Sequence, residues 1–145
     1  MPRKYIPKKK KELVFIRAKY RCEYCQSRAD VALETFEIEH ILPVTKSGSD
    51  DLRNLALACR GCNSRKAIRN WIIDKTTNKK VLLFNPRIEK WKEHFEWSSD
   101  FLKVKGKTLM GKVTVDALQL NRLGVVNIRK LMILGKIHPP LDTIS

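Results

Sequence analysis

Phe36-Glu37-Ile38-Glu39-His40-Ile41-Leu42-Pro43, followed after a loop by Asn54-Leu55-Ala56-Leu57-Ala58-Cys59-Arg60-Gly61-Cys62-Asn63, is the stretch on which the fold turns. From Leu33 to Ile41, Phe36 and Ile38 alternate with Thr35, Glu37 and Glu39, the two-residue period of a half-buried strand. Pro43 and then Ser47-Gly48-Ser49-Asp50 break the chain into a loop. Asn54 to Ala58 is a short apolar run that returns as a second strand. Residues 63–73 lack breakers and carry Ala67, Ile68, Trp71 and Ile72, which predicts a helix. The expected order is strand, long loop, strand, helix.

This stretch is framed by Cys22-Glu23-Tyr24-Cys25 and Cys59-Arg60-Gly61-Cys62, with 33 residues between the two pairs. Two Cys-x2-Cys turns supply the four thiolates of a tetrahedral zinc site, each turn letting both sulfurs face one ion. An iron–sulfur cluster or two redox dithiols would use the same spacing, and a disulfide framework is the weaker reading in a chain without an export signal. With Cys22, Cys25, Cys59 and Cys62 filling every position, the zinc is expected to be structural. Closing so long a loop would add directly to folding free energy.

Outward from this segment, residues 8–20 read as a helix with Leu13, Ile16 and Tyr20 at helical spacing. Beyond residue 74, Lys75 to Lys80 reads as a polar turn and Pro86 to Trp97 as holding a short helix. Leu102 to Val115 alternates weakly. Thr114 is placed to cap a helix through Asn121, and Asn127 another through Leu134. Trp71 is assigned to the core beside the final helix of the motif; Phe84, Trp91, Phe95, Trp97 and Phe101 are assigned to that of the extension. At 145 residues the chain suits one core with appendages: a basic arm and helix over 1–21, a core over 22–73 and a basic extension over 74–145.

The charge divides along the same lines. Residues 1–21 carry nine Lys or Arg against one Glu, residues 22–70 seven against seven, and residues 71–145 fourteen against seven. The net +15 therefore lies in the flanks, as expected of a chain drawn to polyanions, although a solvated surface or a nuclear address would use the same lysines. No apolar run approaches the roughly 20 residues that span a bilayer. Leu13 to Ile16 is followed at once by Arg17 and Lys19, which is no signal-peptide core, so a cytoplasmic protein is expected.

Glu39-His40, Pro43, Gly48, Asn54-Leu55 and Asn63 to Lys66 together resemble the signature of the HNH endonuclease family, in its subgroup framed by two Cys-x2-Cys pairs. The resemblance covers about residues 12–70. It implies an α+β fold with a ββα-metal core, a hairpin with a helix packed across it and one divalent ion between them, beside the N-terminal helix and a mixed C-terminal extension. It also implies Glu39 and Asn63 as metal ligands, His40 as general base, Asn54 as the residue holding loop and histidine, and Lys66 near the scissile phosphate. The family pattern more often has Asp before the histidine and two glycines in the loop; here Glu39 and Ser47-Gly48-Ser49 stand there. The extension, with Asn85-Pro86-Arg87, His94-Phe95 and His138-Pro139-Pro140, looks like tails of some stand-alone bacterial members, a likeness that names no chemistry.

The chemistry asks for the same groups. Phosphodiester hydrolysis needs a base for the attacking water, which a neutral imidazole supplies, and a cation against the anionic phosphorane and leaving oxygen. One carboxylate and one amide leave most of an octahedral ion's positions open, which favours Mg²⁺ or Mn²⁺. Consecutive strand residues point to opposite faces, so for Glu39 and His40 to serve one phosphate the strand must end or bend there. Lys46, Arg60, Arg65, Lys66 and Arg69 are candidate DNA-backbone contacts, against the alternative of a solvated face. His94 and His138 are read as structural or exposed, Glu34 and Glu37 as solvated or paired with a nearby Arg. The reading that results is a DNA endonuclease. Its rival is a zinc-ribbon nucleic-acid-binding protein without catalysis, which leaves the grouping of Glu39, His40, Asn54 and Asn63 unexplained; a protein-interaction zinc module leaves the charge unused as well.

Overall fold

The computed structural model describes residues 5–144, so the first four residues of the expected basic arm lie outside the described residues. Helix α1 spans Lys8–Arg17, and the antiparallel strands β1 (Phe36–His40) and β2 (Leu55–Cys59) pair in the register Phe36↔Cys59 to His40↔Leu55. Leu55 and Leu57 meet Val14 and Ala18, with Phe36 and Ile38 alongside. The α1 face expected inside is not the one buried: Leu13, Ile16 and Tyr20 are half or more exposed, whereas Val14 and Ala18, four residues apart, are covered. Both sets fit the helical period, and only the position of the hairpin chooses between neighbouring faces.

Helix α2 (Arg60–Lys66) leaves β2 directly and packs against both strands. It is shorter than the helix expected over 63–73. Ala67 turns to φ 51°, and Trp71–Ile73 becomes β3, paired with β4 (Lys80–Leu82) around the predicted polar turn. Ile72 and Val81 face the core while Trp71 looks outward, with the Lys80 ammonium 4.6 Å from its ring centroid. Packing has overridden an ambiguous periodicity, because alternate burial of Ile72 satisfies a strand as well as a helix.

The extension follows as α3 (Trp91–His94), β5 (Phe95–Trp97), β6 (Val104–Gly106), α4 (Leu109–Ala117) and α5 (Leu123–Leu134), with β5 and β6 paired. The two expected caps are misplaced. Thr108 starts α4, its Oγ1 accepting from Gly111 N at 3.1 Å, while Thr114 lies inside the helix and accepts from Phe84 N at 3.0 Å. Asn127 likewise falls within α5. Phe84, Trp91 and Phe95 are buried as expected, but Phe101 is exposed.

One continuous cluster of buried residues runs from the four cysteines and Tyr24 through Phe84, Trp91 and Phe95 to Leu118 and Val125. The extension is thus packed onto the cysteine turns. Trp91 Nε1 donates to Tyr24 O at 3.0 Å. Arg129, fully buried, donates to Leu120 O, Leu102 O and Asn121 Oδ1 and, at 3.2 Å, to Cys25 O; burial lowers its guanidinium to about 10. His138 donates from Nε2 to Phe101 O, and His94 sits between Glu89 and Thr108. Among the described residues no helix is long and apolar enough to cross a membrane.

Candidate active site and metal centre

Cys22 and Cys25 flank a tight turn in which Gln26 N donates to Cys22 O; Cys59 ends β2 and Cys62 lies in the first turn of α2. All four are buried, and their sulfurs lie within 4.8 Å of one another, with Cys25 and Cys59 Sγ 3.7 Å apart. Zn–S bonds of about 2.3 Å in a tetrahedron put sulfurs about 3.8 Å apart, so donor type and spacing both fit a zinc ion. Burial pushes the Cys22 thiol well up, while hydrogen bonds from its neighbours pull Cys25 well down. Four thiolates cannot share this volume without a countercharge, which a divalent ion would supply.

Part of that countercharge comes from the extension. Arg122 directs Nη2 to Cys59 Sγ at 3.3 Å and Nη1 to Cys62 Sγ at 3.5 Å, and pairs with Glu34 at 3.5 Å. Burial disfavours the Arg122 charge, yet the cysteine sulfurs around it hold its pKa above the usual arginine range. Gly61 makes room for this approach, since a Cβ there would lie 2.4 Å from Arg122 Nη2. Nothing in the sequence singles out Arg122, 60 residues beyond Cys62. Its only legible feature is its charge in the basic extension.

Glu39 and His40 point to opposite faces of β1, as their adjacency requires, and β1 ends at His40. Glu39 faces inward. Lys66 Nζ lies 2.6 Å from its Oε1 and donates to Ile41 O at 3.0 Å, and both side chains are 97% or more buried, their exposures being 3% and 1%. Neither carboxylate oxygen has a hydrogen bond of regular geometry, and the nearby Tyr24 hydroxyl also lacks one. Burial raises the Glu39 carboxyl, against the pull of the Lys66 ammonium. Asn63, half-buried, lies three residues before Lys66 and so on the same side of α2. A buried carboxylate without aligned donors suits a hard divalent ion, although Lys66 is the cation now resident on Glu39.

On the other face, His40 Nε2 meets Asp50 Oδ1 at 2.7 Å. Asn54 holds the loop shut: its Oδ1 accepts from Leu42 N at 2.8 Å, and its Nδ2 donates to Leu42 O and Ser49 O. Gly48 allows the closure, because a Cβ there would lie 1.7 Å from Leu42 O. Asp50 is the site residue that the sequence reading passed over, having been counted only as a loop former. Of the basic candidates, Lys46 and Arg60 are exposed, whereas Arg65 within α2 and Arg69 just beyond its end donate to backbone carbonyls of that helix.

The Glu39–Lys66 pair yields a stability prediction. Lys66→Met leaves a buried carboxylate unpaired, and an expected loss of about 3–5 kcal/mol should appear in chemical denaturation at neutral pH. A midpoint unchanged from the parent protein would mean that the ion pair is not formed in solution.

Comparison with known proteins finds matches to this chain. Residues 22–69 match the family model described as HNH endonuclease. The Septu protein PtuB of Bacillus thuringiensis is 36% identical over 107 residues, covering 71% of this chain and 37% of that protein, so the chain spans little more than a third of its relative's length. No solved structure matches the chain. With the cysteine pairs, the hairpin and the following helix all inside the matched segment, the chain carries an HNH endonuclease-family domain over residues 22–69.

Proposed function

We propose that this chain is a metal-dependent DNA endonuclease with a ββα-metal centre built from β1, β2 and α2. The observation that carries the reading is the His40–Asp50 contact at the end of β1. A carboxylate accepts only from a protonated ring nitrogen, so Asp50 fixes Nε2–H and leaves Nδ1 as the basic nitrogen. Nδ1 makes no hydrogen bond to a described residue, and takes the proton of a water as its oxygen attacks phosphorus. Asp50 then steadies the imidazolium while the P–O3′ bond breaks. Asn54 keeps this loop in register with the strand.

Glu39 and Asn63 would hold the divalent ion, Mg²⁺ or Mn²⁺, which when bound stabilises the negative charge that develops on the phosphorane and the leaving oxygen. The ammonium of Lys66 competes with an entering ion for Glu39. Exposed Lys46 and Arg60 are the proposed backbone contacts, together with the basic flanks. The likeness to a Septu protein makes that system the first place to seek the natural substrate.

Incubating the zinc-loaded protein with supercoiled plasmid tests this. Conversion to nicked or linear DNA is expected with Mg²⁺ or Mn²⁺, none without added divalent ion, and a loss of at least about a hundredfold in Asn63→Ala. The sealed Glu39–Lys66 pair is the observation that favours the rival, a non-catalytic zinc-ribbon protein. DNA binding without any cutting would establish that rival.

A further inference from the structure

Arg17, Arg53 and Arg87 come from three distant parts of the chain: the end of α1, the turn Leu52–Asn54 and the segment before α3. They line one open cleft of about 660 Å³, walled on one side by Ser49, Asp51 and Asn54. This is the outer surface of the loop whose Asp50 engages His40, and Asn54 ties it together through Ser49 O.

Their charges are poorly answered. Arg17 donates to the carbonyl oxygens of Leu52 and Leu55 and forms no ion pair with a described residue. Arg87 pairs with Glu23, but its Nε and Nη1 are buried without an acceptor. Arg53 is 91% exposed and, among the described residues, meets only Asp51, at 3.4 Å. Burial, and then repulsion from Arg17, lowers the Arg87 guanidinium to about 10. Like charges gathered in a partly desolvated cleft are unfavourable unless an anion joins them, and guanidinium forks match the oxygens of a phosphoryl group.

We propose that the Arg17–Arg53–Arg87 cleft binds a phosphoryl oxyanion. It deepens the nuclease reading, on which it rests for the choice of ligand: a DNA phosphate flanking the one cut, which would run the duplex across the 49–54 loop towards Arg87. The phosphates of a free nucleotide offer the same chemistry from another source.

The test measures binding by the full zinc-loaded chain without added divalent ion, so cutting plays no part. The probes are a 20-base-pair duplex over a salt series, and ATP and pyrophosphate in a thermal-shift assay. In Arg17→Gln/Arg53→Gln, duplex affinity is expected to fall about tenfold and the slope of log K against log salt to shrink by one to two, at about 0.9 per lost phosphate contact. Arg53→Glu, altering an exposed side chain, should show the same direction even if the double variant folds poorly. Lys136→Gln, exposed and far along the chain, should change neither affinity nor slope by more than one ordinary surface charge. Nucleotide-induced stabilisation lost in the variants would assign the site to free phosphates; weakened duplex binding would assign it to DNA. Variants indistinguishable from the parent with every probe overturn the proposal. A cleft that binds phosphate in a protein that never cuts plasmid would sink the nuclease reading and leave this one standing.

Discussion

Cys59→Ser is expected to release zinc and unfold the chain, extension included. The binding free energy of a structural zinc site, about 10–16 kcal/mol, is as large as the whole stability of an ordinary domain, about 5–15 kcal/mol. Cys59 also ends β2, accepts from Arg122 and belongs to the buried cluster that reaches Leu118 and Val125. Unfolding should therefore spread through the extension as well as the metal turns. Zinc content and circular dichroism on heating measure both parts. A variant that keeps a full equivalent of zinc and melts within a few degrees of the parent would show that the four thiolates do not hold the fold.

His40→Ala is expected to reduce plasmid cleavage by about 10²- to 10⁴-fold, the range for removing a general base, with zinc content and duplex affinity retained. The side chain is 17% exposed and lies on the face of β1 away from Glu39, so its loss leaves the buried Lys66 pair and the cysteine cluster in place. Asp50→Asn should fall between the parent and His40→Ala, because an amide can still meet the ring but no longer favours the imidazolium. Cleavage by His40→Ala at the parental rate would exclude His40 as the base, whatever the metal does.

The mixed α+β class and the cysteine cluster were legible in the chain itself, but the faces of β1 were not: the alternation sets Phe36 and Ile38 inward, whereas Glu39 is the one buried residue of the strand. Their signals are local: alternation over Phe36 to Glu39, two-residue gaps within each cysteine pair, and a loop marked by Pro43 and Gly48. Backbone sterics and side-chain period translate such short patterns into geometry without help from the rest of the molecule. The opposed directions of Glu39 and His40 follow from adjacency alone, and because β1 stays paired through His40↔Leu55 the two side chains remain on opposite faces, with no bend that turns them to one side.

Tertiary structure decided what depends on distant segments meeting. It chose Val14 and Ala18 over Leu13 and Ile16, ended α2 at Lys66, turned Trp71 outward and buried Lys66 on Glu39. It also brought Arg122 to the cysteines, Asp50 to His40 and Arg87 to Arg17. Each is one charged or ambiguous residue whose partner lies ten to about seventy positions away, and a pairing of that kind has no period to read. It forms only when burial of the shared core outweighs the entropy of closing the intervening loop.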